Sequence, residues 1–108
     1  MANAQKAKGA SFERLVADYL SERFPAERIP AGATLDRGDI WCEAAAIQCK
    51  NHRTLSLGAW LRDAVQQQAN AGKRFHALVV KRKGTTAPAE QFVVMSLEQF
   101  RDLVCDVM

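Results

Sequence analysis

The chain has 108 residues, 48% of them hydrophobic and 25% charged, and a formal net charge of +3. This composition excludes a disordered chain and allows one hydrophobic core, although so short a chain buries a modest share of its surface and gains from pairing with a second copy. No apolar run approaches the roughly 18 residues needed to cross a bilayer. Cys42, Cys49 and Cys105 contain no CxxC pair, which fits reduced thiols in an intracellular, cytoplasmic chain better than a disulfide scaffold or a zinc site.

In chain order, residues 1–8 (with Lys6 and Lys8) are small and polar and are expected as a flexible basic arm ahead of one domain over 9–108. The opening MANAQKAKGA has no apolar h-region of a secretory signal. Ser11 is expected to start a helix, with Phe12, Leu15, Val16, Tyr19, Leu20 and Phe24 at helical spacing and Pro25 as its stop. A short strand over Glu27–Pro30 and a flexible loop over 31–34 come next. Asp36-Arg37-Gly38 is a turn signal before a strand over Asp39–Cys42. Glu43-Ala44-Ala45 forms a hairpin connection without Asn-Gly or Asp-Gly, and Ala46–Lys50 is the next strand.

Ser56 opens a second helix, with Leu57, Trp60, Leu61, Ala64, Val65 and Gln68 on one side and Gly72 as its C-cap. His76–Val80 reads as a buried strand, 83–88 as a loop, Gln91–Met95 as a last strand, and Ser96 as the cap of a final helix through Cys105. The resulting order is α-β-β-β-α-β-β-α. A helix, an antiparallel meander and a helical crossover to a further strand make an α/β (α+β) fold, with a mixed central sheet flanked by helices.

No GxGxxG, P-loop, nucleophile elbow or Ser/Cys-His triad pattern occurs. The charge distribution is more informative. Lys6, Lys8 and Arg14 cluster early, Lys50, His52 and Arg53 follow the third strand, and Lys73, Arg74, Lys81, Arg82 and Lys83 come later. Convergence of such groups on one face would make a footprint for phosphates.

Phosphodiester hydrolysis needs neutralised phosphoryl oxygens and an activated water, which a divalent cation on hard oxygen ligands supplies. Asp39 at a strand start and Gln48 near the end of the adjacent antiparallel strand suit a shared site. Lys50, two residues beyond Gln48, points to the same side, where its cation orients a water or stabilises transition-state charge. Cys49 points into the core, leaving only its backbone carbonyl as a ligand. Taken singly, Glu13 reads as an acid near a helix start and Asp39 as a turn acid.

Asp39 followed by Gln48-Cys49-Lys50 resembles the D-(x)n-(D/E)-x-K signature of the PD-(D/E)xK nuclease superfamily. Lys8-Gly9 with Glu13-Arg14 is similar to the opening of its archaeal-type Holliday junction resolvases, as are Arg28–Ala33 and Leu78–Lys81 in the same order. The resemblance implies a restriction-endonuclease-like sheet, Glu13 and Asp39 as metal ligands, Lys50 as the catalytic lysine, and a loop hydroxyl for which Thr34 is the candidate. It implies Mg²⁺, with Mn²⁺ as a substitute, and a homodimer acting on four-way DNA junctions. Lys6, Lys8, Arg14, Arg37, His52 and Arg53 are the expected DNA contacts. Trp60 and Leu61, or Phe100 and Leu103, are interface candidates, with core packing the simpler role for each. Gln67 or Gln68 could reach the site from the second helix, although a solvated helix face is the simpler reading.

Gln48 departs from the pattern, since an acid stands there in most of the family; Glu43 is a candidate to compensate, although it falls in the hairpin turn. Other readings are a duplex or replication-intermediate nuclease of the same fold, and a DNA-binding module that no longer cuts.

Overall fold

The computed structural model describes residues 2–32 and 34–108; Met1 of the expected arm and Ala33 of the expected loop lie outside them. The elements are α1 (Ala2–Ser21), β1 (Ala26–Arg28), β2 (Ile40–Cys42), β3 (Ala45–Lys50), α2 (Leu57–Ala71), β4 (Phe75–Val80), β5 (Phe92–Val94) and α3 (Leu97–Val107). A single 3-10 turn at Pro88–Glu90 precedes β5. The order is the expected α-β-β-β-α-β-β-α, in a mixed five-stranded sheet with three helices.

The strands lie in sequence order across the sheet. β1, β2 and β3 form an antiparallel meander, with Ile40 opposite Ile47. The α2 crossover makes β4 parallel to β3, and β5 returns antiparallel beside β4. Strand alternation then divides the core into two layers. Ile40, Cys42, Ile47, Cys49 and Val79 pack under α1 against Phe12, Val16 and Ala17. Leu78 and Val80 pack under α2 against Trp60 and Ala64.

The two ends of α1 depart furthest from expectation. α1 begins at Ala2 rather than Ser11, so residues 2–8, expected as an arm, are helical. The Ala, Gln and Lys of this segment are strong helix formers, and a helix already anchored by Phe12 and Val16 propagates back through them at little cost. The helix ends at Ser21, short of Pro25, and Ser21 Oγ donates to the carbonyls of Ala17 at 2.7 Å and Ala26 at 2.8 Å. This ties the helix end to β1.

α2 is rotated relative to the expected stripe. Its buried side chains are Trp60, Ala64 and Gln67, whereas Leu57 and Val65 are exposed. The sheet selects the i, i+4, i+7 row, and Gln67 enters the interior because polar partners meet it there. Gly72 ends the helix at φ 64°, the left-handed conformation that glycine adopts without strain. Ser96 Oγ accepts from Gln99 N at 3.1 Å and caps α3 as expected. Gln99 then accepts from His76 N at 2.8 Å and donates to its carbonyl at 2.7 Å, pinning α3 to the start of β4.

No helix among the described residues is long and apolar enough to cross a membrane.

Candidate functional site

β2 starts one residue after Asp39, and β3 runs on past that start to Lys50. The backbone of β3 near Cys49 therefore has no β2 strand partner, and the Asp39 side chain supplies one. Cys49 N donates to Asp39 Oδ2 at 2.8 Å. The main chain of Asp39 is held on both sides: its N–H donates to Ile47 O at 2.7 Å, and its carbonyl accepts from Ile29 N at 2.8 Å.

Gly38 makes this approach possible. It sits at φ 98°, and a Cβ there would lie 2.8 Å from Ile47 O. Only glycine fits both the backbone angle and the close approach.

A pocket of about 240 Å³ opens at this end of β3. It is lined by Gln5, Lys6, Gly9, Glu13, Asp39, Gln48, Cys49, Lys50, Asn51 and His52. The five residues expected as ligands or catalytic groups on α1, before β2 and on β3 thus share one concavity. Four of its lining residues, Lys6, Gly9, Glu13 and Asp39, also line a second groove that runs along Arg28–Gly32 and Leu35–Gly38 and includes Arg37.

The electrostatics of the pocket are set by its two acids. Asp39 is raised from 3.8 to about 6, chiefly because burial disfavours its charge. The Cys49 N–H offsets part of that; Glu13 pushes further up, and Lys50 pulls down. One oxygen of Glu13, Oε1, accepts from Arg28 Nη2 at 3.2 Å. Burial also pushes the Cys49 thiol up, so its sulfur stays protonated and inert, as its core position requires.

Lys50 Nζ lies 5.7 Å from the Trp60 ring centroid, and the His52 ring centroid lies 5.2 Å from it. Trp60 is thereby both core and a platform for the Lys50 cation and the His52 ring at the pocket rim. Its 8% exposure leaves it no part in an interface between copies. Leu61 and Leu103 are half-buried and Phe100 is exposed.

The Gln48 side chain, at the pocket, is engaged by the second helix. Its Oε1 accepts from Gln67 Nε2 at 2.8 Å, and the same Nε2 donates to Asp36 Oδ2 at 2.9 Å. Gln67, expected on a solvated helix face, is 2% exposed. A polar residue at the seventh position after Trp60, on the buried row of the helix, is the signal in the sequence. Gln68 serves elsewhere, contacting His76 Nδ1 and the carbonyls of Lys73 and Arg74.

The remaining expectations divide. Lys6, Lys50 and His52 line the pocket. Lys8, Arg14 and Arg53 are exposed and line neither concavity. Arg14 Nη2 donates to Ser11 Oγ at 3.3 Å. Thr34 is exposed on its loop and lines neither concavity. Glu43 lies in the β2–β3 turn at the opposite end of the hairpin and cannot compensate for Gln48. The third basic group splits: Lys81–Lys83 follow the end of β4 beside Lys50, whereas Lys73 and Arg74 precede its start. Lys73 covers the Trp41 ring at 5.0 Å, and Arg74 pairs with Asp106.

Among the described residues, no three His, Cys, Asp or Glu side chains converge as a metal-ligand cluster. The pocket offers two carboxylates and the Cys49 backbone. That set fits a hard divalent cation that keeps several waters, as Mg²⁺ does. The Gln48 oxygen, which already accepts from Gln67, keeps one lone pair for any further partner. The fold and the pocket define a small mixed α/β domain with an acid-amide-lysine site at a strand end. Comparison with protein-family models, curated proteins and solved structures finds no significant match.

Proposed function

We propose that the chain is a metal-dependent DNA endonuclease of the PD-(D/E)xK type, acting on branched DNA and most suited to four-way junctions as a homodimer. One observation carries this reading: Glu13, Asp39, Gln48, Cys49 and Lys50, drawn from three separate segments, line one pocket with Lys6 and His52. Each acid alone has an ordinary structural explanation. Their meeting beside a lysine does not.

In this reading Glu13 and Asp39 hold the cation, with the Cys49 carbonyl as a further ligand. The cation would neutralise phosphoryl charge and make its bound water more acidic. Lys50, steadied by the Trp60 ring, orients the attacking water and offsets charge developing on the phosphoryl oxygens. Lys6 and His52 take flanking phosphates, so binding weakens steeply with salt.

The homodimer has surface to draw on. The β5 edge exposes Phe92 at 49% and Val93 at 56%, and Phe100 on α3 is exposed at 54%. The opposite edge, β1, carries Glu27 and Arg28 between Pro25 and Pro30. Charges and prolines guard an edge against pairing; an apolar edge invites it. Sedimentation equilibrium checks the dimer.

The engagement of Gln48 Oε1 by Gln67, and of Glu13 by Arg28, favours a second reading: a DNA-binding module that does not cut. Labelled four-way junction and linear duplex incubated with Mg²⁺, Mn²⁺ or EDTA separate the two. Symmetric, metal-dependent nicking of the junction supports the nuclease, and duplex degradation supports a broader one. Tight binding without cuts supports the module. Lys50→Ala is expected to lower cleavage by about 10²-fold or more while leaving binding within about threefold. A Lys50→Ala protein that cuts like wild type would exclude this pocket as the active site.

A further inference from the structure

The site contains a chain of three polar side chains whose arrangement decides what Gln48 presents. Gln67 Nε2 donates to both Asp36 Oδ2 and Gln48 Oε1. Gln67 Oε1 is buried with no partner among the described residues, so this orientation is kept although it leaves an acceptor unsatisfied.

Asp36 supplies the reason. An amide side chain has two orientations that exchange its oxygen and its NH₂, and its partners choose between them. Asp36 Oδ1 accepts from Gly38 N at 3.0 Å, which leaves Oδ2 facing Gln67. A carboxylate only accepts, so Gln67 has to turn its NH₂ toward Asp36. The same NH₂ meets Gln48, which therefore turns its oxygen inward. Gln48 lines the pocket beside Asp39 and Lys50, and its NH₂ is neither bonded to a described residue nor sealed from solvent.

We infer that Asp36, acting through Gln67, sets position 48 as a hydrogen-bond donor to a phosphodiester oxygen and not as an oxygen ligand for a cation. Asp36 and Gln67 are positioning residues, and Gln48 touches the substrate. The phosphodiester assignment rests on the proposed nuclease reading; the amide orientation rests on the hydrogen bonds alone.

Asp36→Asn tests the relay against simple electrostatics. Gly38 N holds the oxygen of the new amide, so its NH₂ faces Gln67. Gln67 then turns its oxygen toward that NH₂ and toward Gln48, Gln48 turns its NH₂ inward, and the Gln48 oxygen faces the pocket. Asp36 is exposed, so the variant keeps the fold.

The first measurement is Mn²⁺ titration of the full chain without DNA, followed by electron paramagnetic resonance. Loss of a nearby negative charge by itself weakens cation binding. The relay instead tightens it by about threefold or more, because an oxygen ligand has been added. Gln48→Glu, which places a carboxylate at the same position, tightens it by about tenfold or more.

The second measurement is four-way junction binding in EDTA. Here charge loss alone strengthens binding, whereas loss of the Gln48 donor weakens it by about threefold or more. Tighter Mn²⁺ with weaker junction binding supports the proposal. Unchanged or weaker Mn²⁺ binding in Asp36→Asn, or no tightening in Gln48→Glu, overturns the relay. If the wild-type chain binds no DNA, the phosphodiester assignment falls together with the nuclease reading, while the Mn²⁺ comparison still decides the relay.

Discussion

Asp39→Asn should stabilise the chain at neutral pH in the absence of divalent cations, and the size of the gain follows from the burial of the acid. Folding raises this carboxyl from 3.8 to about 6. The folded state therefore binds the proton more tightly than the unfolded state. Above about pH 6 both states are ionised and the folded state carries the full cost of a buried charge. Below about pH 4 both are protonated and the cost is gone. A rise of this size corresponds to about 3 kcal/mol.

Part of that is offset because the site is partly open to water, which screens the charge of the carboxylate. A net gain of about 1–2 kcal/mol at pH 8 is expected, or about 4–12 °C in Tm for a domain of this size. The gain should shrink to nothing at pH 4. Thermal melts of wild type and variant in EDTA across this range, followed by circular dichroism, provide the measurement; comparing the two proteins at each pH cancels other titrations. Adding Mg²⁺ should raise the wild-type Tm and leave the variant nearly unmoved. A variant that melts below wild type at pH 8 in EDTA, or a difference independent of pH, would refute the reasoning.

Backbone geometry and a buried imidazole supply the other expectations. Gly38→Ala forces a Cβ to within 2.8 Å of Ile47 O at a φ of 98°, and should destabilise by about 2 kcal/mol or more in chemical denaturation. It should also weaken Mn²⁺ binding, because Asp39 is the next residue. His76 is held below the usual imidazole range by burial, its Nε2 accepting from Ser96 N at 3.2 Å. The folded state thus disfavours the proton, and stability present above about pH 6.5 is lost as pH falls through the lowered value. Urea unfolding at pH 7.5 and 5 should show wild type losing more stability than His76→Gln; equal losses would count against that assignment.

Much of the fold was legible because its signals are local. The Asp-Arg-Gly turn, the Gly72 cap, the Ser96 cap and the alternation along β3 each depend on a few neighbouring residues. They placed every element in order, and they placed Cys49 in the core and Lys50 on the face of Gln48. The start of α1 was misplaced because a polar Ala-Gln-Lys run looks alike in an arm and in a helix; only the anchored helix behind it distinguishes the two.

What the sequence by itself determined was the set of groups brought to one strand end: an acid held by Gly38, an amide and a lysine on alternate positions of β3, and a glutamate on α1. Tertiary structure decided which way the amide faces. Asp36, Gln48 and Gln67 come from a loop, a strand and a helix, and no spacing rule links them. A hydrogen bond reads which end of an amide faces its partner, so the orientation of Gln48 was fixed only when a carboxylate from one segment and a buried glutamine from another met it in space.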